Sequence, residues 1–230
     1  MKNGPDNSEL PEKGSSPAPR HPRRPDRSRT RILEAAILEF SEKGFSGGRV
    51  DEIAERAEIG KRMLYHYFGN KEKLFLAVIE KVYLDLWEAE AALELGRLPP
   101  REALVELVTF VWRYYLEHPE FITLLNEENL LKAQNFRHSK ILRAGADRSQ
   151  DLVEEVFSRG VAEGAFRAGI DPAQLSLTIT SVCYYYLTNH ATSSIVYGRR
   201  LMTKKALEER LAFNIESILT IVQAAPLKAS

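Results

Sequence analysis

"RVDEIAERAEIG", Arg49–Gly60, runs directly into "KRMLYHYFGNKEKLF", Lys61–Phe75, and together they decide the fold. In the first stretch Val50, Ile53, Ala54 and Ala57 recur at three- and four-residue steps, the spacing of a short helix with one apolar face, and the helix is expected to stop near Gly60. Asp51 and Glu52 suit its positive N-terminal end. In the second stretch Met63, Leu64, Tyr67 and Phe68 fall on one side of a helix over Lys61–Phe68, which leaves Lys61, Arg62, Tyr65 and His66 to the other. Asn70 is placed to cap a third helix starting at Lys71. Two short helices joined by a tight turn, the second presenting cations and polar aromatics, form a helix-turn-helix pattern, whose second helix enters the major groove of DNA. Lys71 at a helix start and the Tyr65 hydroxyl are natural phosphate contacts. A plain helical core with a lysine-rich surface satisfies the same spacing.

Upstream, "TRILEAAILEFSEKG" places Ile32, Leu33, Ala36, Ile37 and Phe40 on one helical face, with Gly44 positioned to stop the helix. Residues 1–26 are rich in Pro, Ser, Gly and charge and lack aromatics, so a disordered tail is expected there. Six arginines between Arg20 and Arg31 could follow phosphates or enter a minor groove, and a solubilising leader fits the composition equally. Downstream, helical patterns run over 71–95, 100–117, 119–134, 138–163, 172–198 and 203–224, with breaks at Pro99-Pro100, Pro119, Gly164, Gly169, Pro172 and Gly198. No stretch alternates with period two. The expected fold is all-α: a DNA-binding head over 27–73, a larger helical body over 74–224 and a short tail over 225–230.

The run from Arg31 to Phe75 resembles the DNA-binding domain of the TetR family of bacterial transcriptional repressors. The family's "IL.AA..LF...G", "IA..AG" and "LY.HF..K..L" stand here as "ILEAAILEFSEKGF", "IAERAE" and "LYHYFGNKEKLF", and the last of these is similar to the subgroup containing pyrimidine- and nicotinate-catabolism regulators. The resemblance implies Tyr65 and Lys71 as phosphate contacts and Lys61 and Arg62 as residues facing bases. It also implies a homodimer whose C-terminal helical domain binds a small molecule and alters the spacing of two DNA-reading heads. Four residues depart from the pattern: Glu58 stands where the turn usually has Gly, Gly48 and Arg49 replace the usual Ser/Thr, and Tyr67 replaces His. Arg49 can still hold a phosphate by its charge.

Net charge is zero, yet residues 20–73 hold thirteen Lys/Arg against nine Asp/Glu while 74–230 hold seventeen against twenty. A basic head that meets a polyanion, on an acidic body that does not, accounts for the asymmetry. One cysteine, Cys183, excludes an internal disulfide and fits either a reducing compartment or plain indifference to redox, with the cytoplasm as the default expectation. The polar N-terminus has no apolar export core, and no stretch reaches the length of a membrane span. No nucleophile elbow, zinc motif, phosphate loop or dinucleotide fingerprint occurs, and five scattered histidines show no metal spacing, so neither an enzyme nor a cofactor is expected. The carboxylates of "NEEN", Asn126–Asn129, read as a solvated helix face rather than as acid–base catalysts. A sequence-neutral architectural DNA binder is the rival reading.

In the body, Leu207, Leu211, Ile215, Ile218, Leu219 and Val222 form an apolar stripe suited either to a four-helix dimer interface or to an intrachain core. Aromatics are dense on the middle helices, and "CYYYLTNH" adds amides to them. The expected effector pocket takes Trp87, Trp112, Tyr184 and Tyr185 with Asn126, Asn129 and Asn189, holding a planar ligand between the Trp112, Asn129 and Tyr185 regions. Most of these aromatics serve equally well as ordinary core.

Overall fold

The computed structural model describes residues 24–223. It is all-α, apart from an isolated antiparallel bridge between Phe166 and Gln223. The helices are α1 (Arg24–Gly47), α2 (Val50–Arg56), α3 (Lys61–Phe68), α4 (Lys71–Ala91), α5 (Pro100–Glu117), α6 (Pro119–Leu130), α7 (Gln134–His138), α8 (Lys140–Ala162), α9 (Pro172–Thr188), α10 (His190–Val196) and α11 (Lys204–Val222). Prolines begin α5, α6 and α9, where the missing N–H costs nothing.

Several boundaries differ from expectation for local reasons. Helix α1 starts at Arg24, with Pro25 tolerated in its first turn, so the last three residues of the expected tail belong to a helix. The remainder of that tail, and residues 225–230, lie outside the described residues. Gly44 breaks α1 rather than ending it: its backbone turns to φ 68, ψ 176, and one more turn follows. Helix α2 closes at Arg56, and Glu58 carries the chain into α3 with φ 53, the left-handed conformation a glycine would adopt more cheaply. The helix expected over 119–134 ends at Leu130 because Lys132 and Ala133 both take φ 56. The one expected over 172–198 divides at Asn189, whose side-chain amide bonds back to the Tyr185 carbonyl at 3.1 Å.

Two apolar cores hold the helices together. The first runs from α1, α2 and α3 through α4 into α5, α6 and α9, and includes Phe40, Leu64, Phe75, Trp112 and Leu124. Leu74, Phe75, Val78 and Ile79, just past the expected head–body boundary, are buried within it, so the boundary crosses one continuous core. Phe40 meets Phe75 edge-on at 5.2 Å, and burying each such ring stabilises by about 1.5–3 kcal/mol. The second core joins α5, α8, α9 and α11 through Leu104, Phe157, Ile179 and Ile218.

Candidate functional site

Helix α3 has only two turns, and its buried stripe narrows to Leu64 and Phe68. Lys61, Arg62, Tyr65 and His66 face solvent, Tyr67 is half-buried, and Met63, expected inside, is 47 % exposed. One residue before Leu64 lies about 100° away around the helix, which carries Met63 onto the outer face beside Arg62 and His66. Val50, Ile53 and Ala54 of α2 and Ala57 just after it, the four residues expected inward, are all buried in the core that also takes Leu64 and Phe68 of α3.

The cations around α3 are held in different ways. Lys61 pairs with Asp51 across the turn at 2.7 Å, which lowers the aspartate's pKa and raises the lysine's. Arg62 is exposed and forms no ion pair among the described residues. Arg49 is the exposed N-cap residue of α2, and its own N–H donates to Glu39 Oε1 at 3.0 Å. Lys71 lies over the Phe45 ring at 5.0 Å and donates to the Ser46 carbonyl at 3.3 Å, which holds its ammonium beside the start of α4. Asn70 caps that helix by accepting from Lys73 N at 2.8 Å. Arg29 covers Phe68 at the end of α3, and Arg31 pairs with Glu58 at 3.2 Å, which steadies the strained turn.

Carboxylates supply connections that the sequence pattern did not disclose. Glu39 is fully buried and receives Lys43 Nζ as well as Arg49 N. The "NEEN" segment is not a solvated face. Asn126 accepts the Tyr184 hydroxyl of α9, Glu127 Oε1 accepts Phe45 N at 3.0 Å beside the α1 kink, and buried Glu128 accepts Asn135 N and Phe136 N at 2.8 and 3.1 Å. Three consecutive residues of α6 therefore tie it to α9, to the head and to α7.

The structure does not gather the expected pocket residues into one cavity. Trp112 is 2 % exposed within the first core, whereas Asn129 faces solvent with its amide on the Leu125 carbonyl and Tyr185 is 60 % exposed. Asn189 is occupied with Tyr185, and Tyr184 with Asn126. Two of them line sizeable but separate cavities: Trp87 a groove of about 390 Å³ between α4 and α8 with Glu90 and Ser149 at its inner end, and Tyr185 an open one of about 490 Å³ with Tyr186, Tyr197, Leu201 and Arg210. The expected dimer stripe is only partly taken up within the chain. Ile218 and Val222 are buried in the chain's own second core, and Leu207, Leu211, Ile215 and Leu219 pack partly against its cores, because α11 needs that face for α5 and α9. The apolar residues left outside are Phe213 and Ile221 on α11 and Leu177 and Tyr185 on α9. Cys183 lies in the core, and burial pushes its thiol up to about 12, so it carries no thiolate chemistry at neutral pH.

With that geometry in hand, residues 32–78 match the family described as bacterial regulatory proteins, tetR family, and residues 100–218 match the tetracyclin repressor-like C-terminal domain. The chain belongs to the TetR family. It is 42 % identical over 188 residues to the HTH-type transcriptional repressor NicS of Pseudomonas putida, a match covering 82 % of this chain and 89 % of that protein. It is 30 % identical over 157 residues to the HTH-type transcriptional regulator RutR of Escherichia coli, covering 67 % and 71 %. A TetR family transcription regulator from Marinobacter aquaeolei shares the fold, with TM-score 0.66, 22 % identity and coverage of 88 % and 98 %. In this TetR-family chain α2 and α3 are thus the helix-turn-helix, and a regulatory family rather than an enzyme family accounts for both halves. Among the described residues no helix is long and apolar enough to cross a membrane.

Proposed function

We propose that this protein is a cytoplasmic, homodimeric transcriptional repressor that grips an inverted-repeat DNA operator with two α3 helices and releases it when a small molecule enters the body. The observation that carries the reading is the outer face of α3, where Arg62, Met63, Tyr65 and His66 are exposed together between two flanking cations, Arg49 and Lys71. Arg62 suits guanine O6 and N7, Met63 suits a thymine methyl, and Tyr65, Arg49 and Lys71 suit phosphates. Lys61 reaches DNA only by leaving Asp51, so we assign it to setting the α2–α3 angle in the free protein.

The dimer face assigned here is the outer side of α9 and α11, with Leu177, Tyr185, Phe213 and Ile221 exposed on neighbouring helices. Four helices from two copies would cover these side chains. The repressor role is supported by the likeness to NicS, whose name carries that role. Sedimentation at micromolar concentration tests the pairing: a dimer is expected, and a monomer would overturn the two-headed mechanism.

A further inference from the structure

Glu90 stands near the C-terminal end of α4 and is 8 % exposed. It forms no ion pair among the described residues; its partner is the Ser149 hydroxyl of α8. The carboxyl lies between two cavities. Outward is the 390 Å³ groove, whose mouth opens between α4 and α8 with Glu88 and Arg148 exposed at its rim. Inward is a pocket of about 70 Å³ that also touches Glu90 and Ser149 and adds Tyr115 and Thr180. Trp87 walls the groove one helical turn before Glu90. Gly145 lets the indole lie directly on the α8 backbone, since a Cβ there would sit 2.0 Å from the ring.

We propose that this groove is the effector site and that it takes an aromatic ring bearing a protonated amine, the ring against Trp87 and the ammonium at Glu90. The proposal rests on the repressor reading for its regulatory part. A buried carboxylate without a cation is costly, and a ligand ammonium removes that cost. Burial holds the Glu90 carboxyl above its ordinary pKa, as expected of an acid lacking a cation. An indole face attracts the same ammonium. An anionic ligand would meet Glu90 unfavourably, so the site selects by charge as well as by shape. Glu90 and Lys71 lie on one helix, about 30 Å apart at its usual rise, so a ligand that shifts α4 against α8 also moves the start of α4 beside the reading helix.

The test uses three probes of nearly equal size: benzylamine, benzyl alcohol and benzoate, titrated at neutral pH into the full chain by calorimetry and by tryptophan fluorescence. Benzylamine should bind at least about tenfold more tightly than benzyl alcohol, with benzoate weakest, and Glu90→Gln should abolish the ranking. Circular dichroism checks that E90Q folds, and the wild-type ranking decides the matter if it does not. Equal binding of all three, preference for benzoate, absence of binding at millimolar concentration, or an unchanged ranking in a folded E90Q would each overturn the assignment. Benzylamine should also release the protein from its selected operator. Ammonium binding without release would overturn the effector role while leaving DNA binding intact, whereas failure to hold any duplex would count against the repressor reading instead.

Discussion

Glu39 occupies a site where amphipathic patterning gives no hint of a charge, fully buried beneath Lys43, Arg49 N and Arg56. Burial by itself would raise its pKa, and the lysine and arginine contacts outweigh it, so the net shift is downward from 4.5. A carboxylate with a lowered folded-state pKa adds stability that is present above the unfolded value and lost as pH falls through the folded one. Glu39→Gln should therefore unfold more easily by about 1–2 kcal/mol at pH 7, and the gap to wild type should close as urea titrations move below about pH 4.5. A gap independent of pH would contradict an ionised Glu39. On the outer face, Arg62→Ala should cost about 1–3 kcal/mol on the selected operator and little on random duplex. Equal losses on both would make Arg62 a phosphate contact only.

At the scale of elements, apolar spacing was a good guide and polar residues a poor one. Val50, Ile53, Ala54, Leu64 and Phe68 announced α2 and α3 because burial demands their periodicity. Met63 misled because two turns are too short to define a stripe edge. Ile218 and Val222 made an apolar stripe whose occupant, another copy or the chain itself, periodicity leaves open, and packing on α5 and α9 decided it. Glu127 and Glu128 read as surface charges, and Glu39 and Glu90 drew no reading, because helical spacing does not mark which carboxylate a neighbouring helix or turn will cover. Glu127 shows the consequence: it closes the α1 kink from α6, 82 residues on. Glu127→Ala should lower stability by about 1 kcal/mol and speed hydrogen exchange at the Phe45 amide about fivefold. Unchanged exchange there would mean that the contact does not hold the head.

For the molecule as a whole, the continuous first core is the physical link between head and body, since α4 is buried in both and α6 is hydrogen-bonded to α1, α7 and α9. Two heads act together only if the chains pair, and the exposed α9–α11 side chains carry that pairing in the proposed dimer. Phe213→Glu places like charges on both copies of that face, so it should sediment as a monomer and lose more than about tenfold in operator affinity, the loss of a second linked contact. A stable dimer of that variant would place the interface elsewhere. The most direct measurement is selection of bound duplexes from a random library at physiological salt, followed by sequencing. Enrichment of one inverted repeat, its half-sites about one helical turn apart or a multiple of it, is expected of paired α3 helices. Binding without enrichment, or enrichment of a lone half-site, would contradict a dimeric sequence reader.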